Sequence, residues 1–117
     1  MINITGLKDH QQSRLLQHYA TIKAWEETFA VESQEVMTPE REHEIKHNIE
    51  NEKQGIVEVL NQAKKDDETP DEFIDKVLNI IAEIKKHIDI LPDDIEKVVR
   101  LVLEQFEEIL KFAKELF

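Results

Sequence analysis

Three prolines divide this chain, and acidic residues follow each at once: Thr38-Pro39-Glu40, Thr69-Pro70-Asp71 and Leu91-Pro92-Asp93-Asp94. Proline suits the first turn of a helix, where its missing N–H would go unpaired anyway. Acidic side chains in that turn interact favourably with the positive end of the helix dipole. Thr38 and Thr69 stand where a capping hydroxyl belongs, and Thr69 with Glu72 has capping-box spacing. Three such starts and one opening helix predict four helices, over about 7–33, 39–65, 70–88 and 93–116. Only 2 glycines are available for turns in 117 residues, which argues against a β-rich fold. The expectation is an all-α protein: one domain, 1–117, forming a four-helix bundle from two antiparallel helical hairpins.

Apolar periodicity agrees. In the first helix Leu15, Tyr19, Ile22, Glu26 and Phe29 step by four and three, with Leu16 and Trp25 widening the stripe. The second carries Ile45, Ile49, Glu52, Ile56, Val59 and Ala63 on one narrow face. The third and fourth are broader. Ile74, Val77, Ile81, Ile84 and Ile88 form one seam, and Ile95, Val98, Val99, Val102, Phe106, Ile109, Leu110, Ala113 and Leu116 the other. Leu101, Leu103 and Phe112 extend the last face beyond what one seam hides, so they are expected either to thicken the core or to meet another chain. With Trp25, an aromatic of the kind that anchors interfaces, they are the candidate interaction surface.

Charge narrows the partners. The formal net charge is −11, from 26 acidic and 15 basic residues, which repels phosphate backbones and anionic lipid. Neither nucleic acid nor a membrane surface is expected as a partner. No cysteine is present, so disulfides, thiolate metal sites and cysteine nucleophiles are excluded. No signal-peptide pattern opens the sequence and no uncharged apolar run could span a bilayer; the cytoplasm is the expected compartment.

One string matches a catalytic motif. His43-Glu44-Ile45-Lys46-His47 has the H-E-x-x-H form, in which two imidazoles one turn apart hold zinc and the glutamate activates water. Its surroundings are charged and no strand offers a substrate edge, so the string reads as a solvated helix surface. A di-iron bundle site would need Glu-x-x-His on each of two helices. Glu40-x-x-His43 and Glu44-x-x-His47 both lie on one. No metal centre, cofactor or catalytic residue is therefore expected; opportunistic binding of zinc or nickel by His43 and His47, without catalysis, is a separate reading. Glu26 and Glu52 interrupt apolar seams; they either face each other across the first hairpin or reach water or a lysine at its edge.

Residues 15–60 also carry a resemblance. Leu15-Leu16-Gln17-His18-Tyr19, then Thr38-Pro39-Glu40-Arg41, then Ile45-Lys46-His47-Asn48-Ile49-Glu50 resemble the helical hairpins of effector-associated domains in bacterial, particularly cyanobacterial, conflict-system proteins. That resemblance implies a small adaptor bringing effectors together through helix–helix contact. The functional expectation is a non-catalytic interaction module with a helical protein partner or a second copy of itself. The alternative is a small acidic antagonist of the immunity-protein type, and third comes a metal-dependent hydrolase using His43, Glu44 and His47.

Overall fold

The computed structural model describes residues 6–117; residues 1–5, within the N-terminus that shows no signal-peptide pattern, lie outside them. The described residues form four α-helices, α1 (Asp9–Glu32), α2 (Pro39–Ala63), α3 (Pro70–His87) and α4 (Asp93–Lys114), with a single 3-10 turn, η1 (Ile88–Ile90), between the last two. The caps are those the sequence specifies. Thr38 Oγ1 accepts the Arg41 N–H at 3.1 Å. Thr69 Oγ1 accepts the Glu72 N–H at 3.2 Å while the Glu72 carboxylate accepts the Thr69 N–H at 3.2 Å. Pro39 and Pro70 are first helical residues, whereas Pro92 is itself the cap of α4.

Packing is bundle-like. α1 lies mainly along α2, and α3 mainly along α4, with smaller contacts of α1 and α2 on α4 and of α2 on α3. Cross-contacts between α1 and α2 run in opposite sequence directions: Arg14 reaches Gln62, His18 reaches Glu52 and Arg41 reaches Glu32. Between α3 and α4, Asp75 meets Lys114 and Lys85 meets Glu107.

The shared core draws on only part of each helix. α1 supplies Leu15, Tyr19 and Ile22 from its first half, and α2 supplies Ile56, Val59 and Leu60 near its end. α3 contributes Phe73, Ile74, Val77 and Ile81, and α4 contributes Leu103, Phe106, Ile109, Leu110 and Ala113. Burying side chains of this size is worth about 1.5–3 kcal/mol each, so this overlap holds the fold. Beyond it cover is thinner: Ile45 and Ile88 are still buried, but Val31, Val36, Ile90, Ile95, Val98 and Leu101 are exposed. The radius of gyration, 16.6 Å, reflects this, against about 13–14 Å for a compact chain of similar length. Among the described residues no helix is long and apolar enough to cross a membrane.

Candidate functional site

The half of α4 that lies outside the shared core carries the most conspicuous surface. Val98 is 62% and Leu101 69% exposed, Ile95 is exposed beside them, and Ile90 in η1 is 85% exposed. Ile95 and Val98 were expected inside the fourth seam. They stand in solvent because α1 meets α4 further along, where Tyr19 contacts Glu108 and Phe112. A shallow groove lined by Leu101, Glu104, Gln105 and Glu108 continues the stripe. A second groove, lined by Glu83, Ile84, His87, Ile88, Ile90 and Leu91, sits at the α3–η1 turn.

The four candidate interaction residues separate. Leu101 is exposed as a docking residue must be. Leu103 is not: it is 0% exposed in the core, because two helical steps turn it to the face that meets the other helices. Phe112 is half-buried, packed edge-on against the Tyr19 ring with centroids 5.4 Å apart and the Lys23 ammonium 5.9 Å from its own centroid. It closes the α1–α4 contact. Trp25 is half-buried on α1, with the Arg41 guanidinium 5.8 Å from its ring centroid.

His43 and His47 are both exposed on α2, their rings stacked with centroids 6.1 Å apart. Between them Ile45 is fully buried, so the two imidazoles point away from α1. Glu44 accepts a hydrogen bond from Arg41 at 3.0 Å. Among the described residues no three histidine, aspartate or glutamate side chains converge as a metal cluster would require. Glu26 and Glu52 find separate partners: Glu26 lies 3.4 Å from Lys23, and Glu52 lies 2.6 Å from His18 Nδ1.

Two features had little signal in the sequence. His18 packs against Gly55, a glycine inside α2 where any Cβ would collide with the imidazole. Gln12 is fully buried; its amide N–H donates to the Leu7 carbonyl at 3.1 Å while its Oε1 has no partner among the described residues. Burial, then the hydrogen bond to Glu108, raises the Tyr19 phenol above its ordinary pKa. The Arg41 hydrogen bonds hold Glu32 below the usual carboxylate range, and Lys65 and Lys76 do the same for Glu68.

Comparison with protein-family models, with curated proteins and with solved structures gives no match to this chain.

Proposed function

We propose that this chain is a non-catalytic interaction module, built as two antiparallel hairpins, that docks a helical partner on the outer face of α4. The observation carrying this reading is the stripe of Ile95, Val98 and Leu101 on the outer face of α4, which the bundle leaves uncovered. Apolar side chains concentrated on one exposed face favour association, since covering each removes apolar area from water. The rim selects the partner's charge. Asp94, Glu104 and Glu108 flank the stripe and are exposed, with Lys97 exposed between them and Arg100 paired to Glu96 at 3.1 Å. An amphipathic helix with an apolar face bordered by lysine or arginine complements that surface. Pairing of two copies brings together chains of net charge −11, so a second copy is the less favoured occupant. The resemblance of residues 15–60 to effector-associated hairpins supports the same adaptor role.

The test is capture of partners from the native host by the wild type and by a Val98→Glu/Leu101→Glu variant, with light scattering and circular dichroism on both. The reading expects a partner held by the wild type and released by the variant, at unchanged helical signal. A partner retained by both sinks the α4 surface. A wild type that forms dimers, converted to monomers by the variant, makes the second copy the occupant.

A further inference from the structure

We propose that His43 and His47 form a two-imidazole clip for a divalent late first-row transition ion of the nickel, copper and zinc class, on the outer face of α2. This site is independent of the α4 surface. Residues four apart on a helix stand one above the other. Here the two rings lie side by side, 17° between planes and 6.1 Å between centroids, close enough that turning both side chains about their own torsions aims one nitrogen of each at a common ion. Among the described residues neither ring makes a hydrogen bond or ion pair, in contrast to His18, which is held by Glu52. Nothing must be broken for the metal to bind.

The backbone under the pair is fixed. Thr38 caps α2, Pro39 begins it, and Ile45, in the intervening turn, is fully buried. Both Cβ atoms are therefore set before the ion arrives, and imidazole is a favoured donor for this class of metal. Exposed Glu40, one turn before His43, draws cations toward the face, whereas Glu50, one turn after His47, is paired with Lys53 at 3.4 Å. Two protein donors leave the remaining positions to water, so the clip binds with modest affinity and no closed four-ligand site forms. Because the donors are neighbours only while α2 is helical, the bound ion stabilises the folded chain by linkage.

The experiment titrates Zn²⁺ and, separately, Ni²⁺ into the full-length chain without a histidine tag. Imidazole proton resonances and thermal unfolding are followed at each addition. The clip expects one ion per chain, signals of His43 and His47 broadening or moving together, and a melting midpoint raised by several degrees and restored by chelator. His43→Ala and His47→Ala should each weaken binding at least tenfold and cancel the thermal shift. Both positions are exposed, so the helical signal should be unchanged in both. Moving the second imidazole off the face, His47→Ala with Asn48→His, should also abolish binding although the number of histidines is kept. Binding that survives either alanine variant, or that persists with the imidazole at position 48, overturns the clip. So does a wild type that fails to respond to millimolar metal.

Discussion

The imidazole of His18 rests on the backbone of α2 at Gly55 and points its Nδ1 at the Glu52 carboxylate, 2.6 Å away. A Cβ at position 55 would lie 2.6 Å from His18 Nε2 and 2.8 Å from Nδ1, too close for either atom to stay. Glycine inside a helix normally costs about 1 kcal/mol relative to alanine, so its presence here needs a reason, and the ring supplies one. Gly55→Ala should therefore destabilise the chain despite improving helix propensity, because displacing a seated side chain costs about 1–3 kcal/mol. Combined with His18→Ala the sign should invert, leaving only the propensity gain. Denaturant midpoints of the four variants in this cycle decide the matter; additive effects would show that ring and glycine are uncoupled.

Tyr19 joins the two helix pairs, its hydroxyl donating to Glu108 of α4 at 2.9 Å. Tyr19→Phe should cost about 1 kcal/mol, the worth of an ordinary hydrogen bond, because the Glu108 acceptor is exposed to solvent. The chain has a single tyrosine, so its ultraviolet titration reads this site directly. The phenol pKa is raised, by burial first and then by Glu108, and Glu108→Gln should bring it back toward the ordinary value. A raised pKa means the folded state holds its proton longer than the unfolded state. Its stabilising contribution is whole below about pH 10 and is lost as pH rises through the folded pKa. A Tyr19 that titrates as a free phenol contradicts the contact.

At the other end of α1, Glu32 accepts two hydrogen bonds from Arg41, both at 2.9 Å, which close the loop before α2. The guanidinium holds the carboxyl below its usual range. The folded state therefore binds its proton less readily than the unfolded chain does. The stability this pair contributes is present above about pH 4.3 and disappears as pH falls through the depressed folded pKa. Glu32→Gln should lower the melting midpoint at neutral pH and flatten its fall in acid. Parallel acid profiles for the two proteins would contradict the pairing.

Most of the architecture was legible because the helix ends are chemically marked. Thr38-Pro39 and Thr69-Pro70 set the starts of α2 and α3 to the residue. The ends are less sharp: α3 gives way to η1 at Ile88, the extended Leu91 before Pro92 ends that turn, and nothing in Ile88-Asp89-Ile90 specifies a 3-10 turn. Burial on α4 was legible only in part. Its apolar residues cover so much of the circumference that periodicity alone cannot tell which stripe faces in. That choice is made by where α1 crosses, through Tyr19, Glu108 and Phe112, a long-range contact with no local signature. The His18–Gly55 seat is hidden for the same reason, since its two halves lie on different helices.

Leu101 and Leu103 put that choice to the sharpest test, because they are the same residue two positions apart with opposite surroundings. Leu103 is 0% exposed and belongs to the core cluster with Phe106 and Leu110; Leu101 is 69% exposed on the outer face of α4. Leu103→Ala removes buried methyl groups and opens a cavity, so it should lower stability by about 2–5 kcal/mol. Leu103→Glu should abolish cooperative unfolding, since an unpaired carboxylate would have to enter the core. Leu101→Ala should change stability by no more than about 0.5 kcal/mol, as surface substitutions away from special features do. Leu101→Glu should keep the full helical signal and the unfolding midpoint while removing whatever binds the α4 face. If Leu101→Glu unfolds the chain and Leu103→Glu does not, α4 is rotated about its axis relative to this structure, and the exposed stripe is the core.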